Sequence, residues 1–457
     1  MRKNNEASRN FQCAPAAACA LAASMACGGA LAQATPAPSD GPMANDFFGK
    51  AKAGVMLRSS YFERTKPVDT DPHPDAWGVG GWLWGETGEL NQIFSMGGAY
   101  YFVGKLYSPA DGGGSFILDD QNSGYGVLGE GWGRARFGDH AVTVGRQALS
   151  YNWSLDGIYR TYNRYDGAFI GRRDVRAMVP LDFESATVNG KFAGDTVRYY
   201  GGYAWKMRQV NSPKFYDLAK AALLPGDSDG MAYGGAQWKI TNDLMLQGAY
   251  HNVQNIMNVA WVDLDYVWRL GSDRYVRFDT QYIYQNSSGA ANLGEFNTWN
   301  WAGYLEARPV PWWIPYAAIG FNGDGDELRS PYSLGPSYLV QRVGENAKAG
   351  EKTLILASTF DFSTLGARGL SFDISYGWRR DRHVKGNSAQ PLSDMNELAL
   401  DLIYSVPKEA GLPAGTRTRL RWAKVNEKGD RFAGGAITTV NEKYTDIRFD
   451  IQIPFNF

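Results

Sequence analysis

Arginine is concentrated in one long segment that holds fewer acidic residues. Residues 148–182 read ALSYNWSLDGIYRTYNRYDGAFIGRRDVRAMVPLD and are also rich in tyrosine. Guanidinium groups are permanently charged and bind carboxylates through two parallel hydrogen bonds. The pattern predicts a site that contacts carboxylates, although arginines that only anchor the segment to acidic neighbours would give the same pattern. The candidate residues are Arg146, Tyr151, Arg160, Arg164, Arg172, Arg173 and Arg176.

A second set of arginines recurs at every second position in residues 417–421. Alternate residues of a strand lie on one face about 7 Å apart, so these side chains would form a ladder. Two further arginines extend it if the first and last strands become neighbours. Pairing with Asp401 and Glu397 on the preceding predicted strand would neutralise part of this ladder. The predicted basic ladder is Arg58, Arg417, Arg419, Arg421 and Arg448.

Acidic residues recur with the same period in the middle of the chain. Asp263, Asp265 and Asp279 fall on one face of two consecutive predicted strands. These strands would lie about half-way round a closed ring from the basic ladder. We therefore expect an electric field across the space between the two walls. An anion would move along the arginines, and a solute with separated charges would be oriented.

A period of two in the hydrophobic residues predicts the elements that must position these groups. The chain ends in YTDIRFDIQIPFNF, in which Ile447, Phe449, Ile451, Ile453, Phe455 and Phe457 alternate with mostly polar residues. Such alternation over about ten residues indicates a strand. Eighteen strands are predicted, and they start near residues 53, 76, 93, 124, 140, 183, 196, 231, 244, 259, 275, 298, 312, 352, 370, 396, 416 and 444.

The connections alternate between tight turns and long loops. Turns are predicted at 138–139, 193–195, 241–243, 271–273 and 309–311, and long loops at about 148–182, 209–230, 322–351, 381–394 and 426–443. Alternation by itself also fits a soluble sandwich. Short turns at one end, long loops at the other and aromatic residues at strand ends favour an outer-membrane barrel, in which closure pairs every backbone amide. The predicted fold is an all-β transmembrane antiparallel β-barrel, with residues 148–182 folded inward as a constriction loop.

The first residues have the layout of an export signal. Arg2, Lys3 and Arg9 precede a run of small apolar residues that ends in Ala-x-Ala at residues 32–34. We predict a signal peptide over residues 1–34, a linker over 35–46 and the barrel over 47–457. All three cysteines lie in the predicted signal, and its removal moves the net charge from −1 to −3. A nucleic-acid partner is therefore not expected.

Five stretches of the chain form a set that occurs together in a known family. They are LRSSYFER (Leu57–Arg64), GRQ (Gly145–Gln147), RDVRAMVPLDFESATVNGKF (Arg173–Phe192), DFSTLGARGLSFDISYGWRRD (Asp361–Asp381) and ELALDLIYSV from Glu397. Together they resemble the OprD family of outer-membrane porins. The resemblance implies an eighteen-stranded channel for passive, substrate-selective uptake of small molecules, commonly ones with a carboxylate. Alginate-export barrels share the strand number and a GRQ-like element, so a polysaccharide exporter remains an alternative.

The expected function is a porin of the bacterial outer membrane for small solutes such as amino acids or organic and aromatic acids. An outer-membrane hydrolase is a weaker alternative, because His73, His140, His251 and His383 form no credible catalytic triad. We predict no enzymatic activity, cofactor or metal. The expected partners are outer-membrane lipid, small solutes and the barrel-assembly machinery, which would recognise the C-terminal strand ending at Phe457. The oligomeric state is expected to be a monomer or a homotrimer.

Overall fold

Eighteen antiparallel strands form one closed sheet. A computed structural model describes residues 42–65, 74–109, 113–149, 178–332 and 339–457. Each strand pairs with its neighbours in the chain, and the first strand also pairs with the last, which closes the ring. The ring consists of β1 (Lys52–Arg64), β2 (Asp75–Glu86), β3 (Phe94–Tyr107), β4 (Tyr125–Phe137), β5 (His140–Gln147), β6 (Asp182–Phe192), β7 (Val197–Arg208), β8 (Met231–Lys239), β9 (Leu244–Val253), β10 (Met257–Arg269), β11 (Tyr275–Ser287), β12 (Asn297–Arg308), β13 (Trp313–Asn322), β14 (Lys352–Asp361), β15 (Leu370–Arg380), β18 (Asp394–Ser405), β19 (Arg417–Ala433) and β20 (Ala436–Asn456).

The remaining elements are short and lie in the connections. A small hairpin, β16 (His383–Val384) and β17 (Asn387–Pro391), lies between β15 and β18, and single 3₁₀ turns occupy Ala193–Asp195, Phe362–Leu365 and Lys408–Ala410. Two helices are present in the described residues, α1 (Pro42–Gly49) and α2 (Leu218–Ala221). Within those ranges, neither helix has the length and apolar character needed to cross a membrane. The predicted signal peptide and most of the predicted linker lie outside the described residues.

The alternation in the last strand is the reason that the ring closes where it does. Along β20, Asp446 and Arg448 are buried on the inner face, whereas Ile447 and Phe449 lie on the outer face. Phe449 lies opposite Tyr61 of β1, so the outer faces of the two strands match. A shift of one residue would turn every apolar side chain into the lumen, and therefore this register is strongly specified.

The predicted barrel of eighteen strands is confirmed, and the strand starts agree within about two residues with one exception. We predicted a loop at 426–443, and this prediction is wrong, because β19 continues to Ala433 and β20 begins at Ala436. Gly434 and Gly435 both have positive φ, at 59° and 85°. That conformation allows a two-residue hairpin turn, which glycine adopts without steric cost. The hairpin extends past the neighbouring strands at the long-loop end.

Part of the lumen at the long-loop end is filled by loops. Leu218 of the β7–β8 connection and Tyr332 of the β13–β14 connection pack with the wall residues Val253 and Ile283 in one buried apolar cluster. The Tyr332 hydroxyl donates to the carbonyl of Leu218 at 2.9 Å. This packing covers the wall formed by β8–β11, and the polar lumen lies beside it.

Candidate functional site

The inner face of the ring carries most of the buried polar side chains. On β11, Gln281 and Gln285 are buried, whereas the intervening Tyr282 and Tyr284 are exposed on the outside. A polar inner face and an apolar outer face are what a water-filled path through lipid requires. The candidate site is therefore the set of charged groups that face this lumen.

The structure brings the five residues of the basic ladder together on the inner wall. Arg421 of β19 lies opposite Arg448 of β20, and Arg58 of β1 lies opposite Gln452 on the other side of β20. Arg417 is nearer the short-turn end and is half-buried. Four of the five guanidiniums are largely removed from solvent, so the carboxylates around them determine their charge balance.

Asp401 pairs with two arginines. The sequence had indicated that this residue of the neighbouring strand could neutralise part of the ladder. The Nε atom of Arg419 donates to both carboxylate oxygens of Asp401, at 2.8 and 2.9 Å. Arg342, which belongs to the β13–β14 connection, contacts the same carboxylate. The single negative charge of Asp401 is therefore shared by the guanidiniums of Arg419 and Arg342.

Asp450 is also shared, but more loosely. Its carboxylate lies 3.9 Å from Arg421 and 4.0 Å from Arg58. Arg421 is only 2% exposed, and its Nε and one terminal nitrogen have no hydrogen-bond partner among the described residues. A buried guanidinium with free donors is costly in isolation, because its lost hydration is not replaced.

Asp446 is the third shared carboxylate of this wall. It accepts from Arg448 at 2.7 Å and from Arg64 at 2.7 Å. In the part of the chain that the structure describes, six arginines of this cluster thus share three aspartates. We call the cluster the basic wall, and it consists of Arg58, Arg64, Arg342, Arg419, Arg421 and Arg448.

The β13–β14 connection folds over the basic wall and is fastened there by Glu397. We call its described residues, 323–332 and 339–351, the inward loop. The backbone N–H groups of Arg342, Val343 and Gly344 donate to the Glu397 carboxylate at 2.6, 3.1 and 2.7 Å. Arg448 also donates to the carbonyl of Arg342 at 2.8 Å. Glu397 therefore holds the loop rather than a ladder arginine.

The roles of Arg342 and Glu397 were not predicted. The sequence places Arg342 in a long connection, and a hydrophobic period carries no information about the direction in which a loop folds. One signal was available: Glu397, Asp401 and Arg379 all have the inward phase of their strands. Such buried charges require partners, and a loop that enters the lumen can provide them.

The predicted acidic wall also lies on the inner face. Asp265 accepts from Nε of Arg277 at 2.7 Å in a two-bond contact between fully buried side chains. Gln247 donates to Asp263 at 2.9 Å, and Asp279 lies opposite Asp265 in the register of β10 and β11. Within the described ranges, no group of three or more His, Cys, Asp or Glu side chains is arranged to hold a metal ion.

Arg146 does not lie on the predicted solute path, which corrects that assignment. The register gives it the same face of β5 as Val142 and Val144, which are exposed on the outside. It pairs with Glu184 at 3.0 Å, and its guanidinium lies 4.3 Å from the ring centre of Phe215. From the sequence, Arg146 was grouped with the loop that follows it. The direction of its side chain was therefore not deduced from the alternation along β5.

The other predicted constriction residues lie outside the described residues. They are Tyr151, Arg160, Arg164, Arg172, Arg173 and Arg176. The end of their segment is described and is firmly held. Asp182 and Arg208 form a fully buried pair at 2.6 Å, and the Tyr101 hydroxyl donates to Asp182 at 2.8 Å. The segment 178–182 is therefore fixed against the inner wall.

One tyrosine of the inward loop keeps its proton because of burial. Burial raises the pKa of the Tyr332 hydroxyl well above its usual range, and the nearby Asp217 carboxylate acts in the same direction. The hydroxyl therefore remains a neutral donor to the carbonyl of Leu218. This contact joins the inward loop to the β7–β8 connection at any ordinary pH.

The chain matches a known family over more than half of its length. A family model described as "outer membrane porin, OprD family" matches residues 186–456. The matched range includes the acidic wall, the inward loop and all of the basic wall except Arg58 and Arg64. No curated protein sequence matches the chain.

Solved porin structures share the fold. The crystal structure of OpdK from Pseudomonas aeruginosa with vanillate is 20% identical with a TM-score of 0.72, and the match covers 90% of this chain and 100% of that chain. OccAB1 from Acinetobacter baumannii is 15% identical with a TM-score of 0.74, covering 92% and 100%. A BenF-like porin from Pseudomonas fluorescens Pf-5 is 18% identical with a TM-score of 0.71, covering 90% and 100%. At these identities the likeness establishes a common fold.

Proposed function

We propose that this protein selects small carboxylate-bearing solutes, and the premise is that the chain belongs to the OprD family of outer-membrane porins. As a member, it is a channel of the bacterial outer membrane through which small solutes pass. The finer assignment is the chemical class of the solute. It rests on the charges of the lumen rather than on the family.

The observation that carries the proposal is the state of Arg421. This guanidinium lies on the inner face, two of its nitrogens have no hydrogen-bond partner in the described part of the chain, and its nearest described carboxylate, that of Asp450, lies 3.9 Å away. A solute carboxylate could accept two parallel hydrogen bonds from it and replace the hydration lost by burial. The arginines next to it along the wall provide further positions for the same anion.

The inward loop controls access to this position. Arg421 is almost fully buried, and Arg448 opposite it donates to the carbonyl of Arg342, so a solute that reaches Arg421 would have to displace this part of the inward loop. The loop is fastened by the three N–H groups that Glu397 accepts, and each is a hydrogen bond to a charged group. Breaking one such bond costs about 1.5–3 kcal/mol, which a bound carboxylate could offset.

The size and shape of the preferred solute are proposed as those of small organic or aromatic acids. OpdK, which has the same fold, was crystallised with vanillate, an aromatic carboxylic acid. The inner wall next to the inward loop also carries tyrosines, such as Tyr304 and Tyr316, whose rings stack at 5.5 Å and are buried together with Leu339 of that loop. Aromatic side chains of this kind would contact the ring of such a solute.

The test compares acids with their neutral amides. Proteoliposomes would be assayed by swelling with benzoate and benzamide, and with an amino acid and its uncharged analogue. We expect the acid to enter faster, and Arg421→Gln to abolish most of that preference. Arg274→Gln, which removes a guanidinium from an exposed turn, is the matched control. Equal preference in the wild type and Arg421→Gln, or strong cation selectivity in planar bilayers, would overturn the proposal.

The alternatives now have less support. The family match favours neither a polysaccharide exporter nor an outer-membrane hydrolase, and we propose that the protein is not an enzyme. We further propose that the signal peptide directs export and is cleaved near residue 34, and that assembly machinery recognises the exposed Phe457. N-terminal sequencing of the protein from outer membranes would test the first point, since a start before residue 30 contradicts it.

A further inference from the structure

The outer face of the barrel at its long-loop end is unevenly charged. On β9–β12 the outward residues near this end are neutral, for example Tyr250, Asn258 and Tyr284. From β14 to β20, by contrast, basic side chains outnumber the acidic residues Asp394 and Asp430 on the outer face. The basic residues are Lys352, Arg380, Lys424, Lys428 and Lys443.

Three of these lysines form one cluster across β19 and β20. Lys443 lies opposite Asn426, so Lys424 and Lys428 are its two diagonal neighbours. Diagonal neighbours on one sheet face are about 7–8 Å apart, within reach of long side chains. All three side chains are exposed, and we call them the outer basic patch.

The outer basic patch differs from the two basic residues beside it in its pairing. Lys352 pairs with Asp381 at 2.7 Å, and Arg380 pairs with Asp394 at 3.3 Å. Asp394 lies opposite Lys428 in the register, but its carboxylate is engaged by Arg380. No described carboxylate lies within 4.0 Å of the three patch lysines. Asp430 lies on the same face two residues after Lys428 and accepts from Thr439 at 2.7 Å. The three positive charges therefore exceed the negative charge beside them, and this excess favours the binding of an anion.

The surface next to the patch is apolar. On β19, Leu420 and Trp422 precede Lys424 on the outer face, and on β20, Ile447 and Phe449 continue beyond Thr445. These residues lie in the hydrocarbon, because apolar residues form the lipid-facing band of such barrels. The lysines therefore lie where the band ends and lipid headgroups begin.

We propose that the outer basic patch binds the phosphate groups of a phosphorylated glycolipid in the outer leaflet. Its acyl chains would contact Leu420, Trp422 and Phe449, and its phosphates would contact Lys424, Lys428 and Lys443. A free phosphate ion would contact only the lysines and not the apolar residues of this surface. A second copy of the chain would bring identical positive patches together in a two-fold contact, and this is repulsive.

The test measures lipid binding by the folded protein in detergent. Bisphosphorylated lipid A and its dephosphorylated form would be titrated separately and followed by native mass spectrometry. A lysine near an anionic lipid surface contributes about fivefold in affinity. We therefore expect the triple variant Lys424→Gln, Lys428→Gln, Lys443→Gln to bind the phosphorylated lipid roughly a hundredfold more weakly, and the arginine triple variant to bind it normally.

The controls separate this site from other effects. Lys191→Gln, Lys239→Gln and Lys408→Gln together remove the same charge at the short-turn end and should leave binding unchanged. Heat-modifiable gel mobility reports folding, and single Lys428→Gln, on the protruding hairpin, serves if the triple variant does not fold. Equal binding of the two lipid forms, or unchanged binding by the glutamine variant, overturns the proposal. The proposal is also overturned if millimolar inorganic phosphate displaces the lipid completely. It is overturned as well if the glutamine variant changes its oligomeric mass and does not lose bound lipid.

Discussion

The two charged walls of the lumen are built from the same residue types but in opposite proportions. On the basic wall, each of three aspartates is shared by two arginines, and the contacts of Asp450 are long. On the acidic wall, Arg277 makes a two-bond contact with Asp265, and Asp263 and Asp279 lie on the same inner face. Both walls thus bury charged side chains. They differ in the sign of the net charge, which is positive on the basic wall and negative on the acidic wall.

The difference suggests a division between fold and function. A buried pair with good geometry is costly to break, because one charge is then left without its partner. A buried guanidinium with free donors contributes little to the fold and is available to a ligand. On this view the Arg277–Asp265 pair maintains the barrel, and Arg421 serves the solute.

The largest expected effect comes from breaking the tight pair. Arg277→Met removes both hydrogen bonds to Asp265 and should lower the free energy of unfolding by roughly 3–5 kcal/mol. Arg421→Met loses no short hydrogen bond among the described residues and should cost less than about 1 kcal/mol. Urea unfolding in detergent micelles, followed by tryptophan fluorescence, measures both. Equal losses would remove the distinction between the walls.

The second prediction concerns Glu397, which fastens residues 342–344 of the inward loop beside the basic wall. Glu397→Gln removes the charge that accepts three backbone N–H groups, and the loss should be about 2 kcal/mol. A loop weakened by this amount is displaced about thirtyfold more often. Single-channel recordings should therefore show a larger mean conductance and more frequent transitions.

Glu306→Gln is the matched control for that variant. Glu306 accepts from Tyr275 at 2.7 Å on the opposite wall, and its carboxylate contacts no inward-loop residue among the described hydrogen bonds. Its recordings should resemble those of the wild type. Similar changes in both variants would mean that the loss of any buried carboxylate disturbs the lumen, and the loop would then have no special role.

The fold was readable from the sequence because a lipid-facing strand leaves a clear period. Strands such as β9 and β14 start at the predicted residues, since apolar and polar positions alternate and turn residues separate them. The exception, β19–β20, protrudes into water, where neither face must be apolar and the alternation disappears. Gly434–Gly435 was the remaining signal for its turn.

The site was only partly readable. Arg419 and Arg421 have an inward phase, so their direction followed from the period. The pairing of Arg419 with Asp401 was also anticipated, because the two residues lie on neighbouring strands. The contact of Arg342 with Asp401 was not, because Arg342 arrives from a loop whose path depends on tertiary contacts with Glu397. Arg146 shows the opposite failure, since a residue at a strand end was interpreted by its neighbours in the chain rather than by its register with Glu184.

The third prediction changes the acidic wall alone. Asp263→Asn with Asp279→Asn removes two negative charges from the inner face and should raise the anion-to-cation permeability ratio about fivefold, if each wall acts on a passing ion with about 1 kcal/mol. Arg421→Gln should lower the same ratio. Reversal potentials under a salt gradient in planar bilayers give both values. Changes of the same sign in the two variants would contradict a field across the lumen.

The smallest effect is expected where the same arginine–aspartate chemistry occurs in water. In the β6–β7 turn, Arg198 donates to both oxygens of Asp195 at 2.7 and 2.6 Å, and this hydrogen bonding lowers the pKa of Asp195. A lowered pKa stabilises the fold above the unfolded value of about 3.9 and loses that contribution as the pH falls through the folded value. Asp195→Asn should therefore cost less than about 0.5 kcal/mol at pH 7 and nothing measurable near about pH 2. Urea midpoints at the two pH values test this, and a loss at pH 7 as large as that of Arg277→Met would mean that burial does not explain the strength of the Asp265 pair.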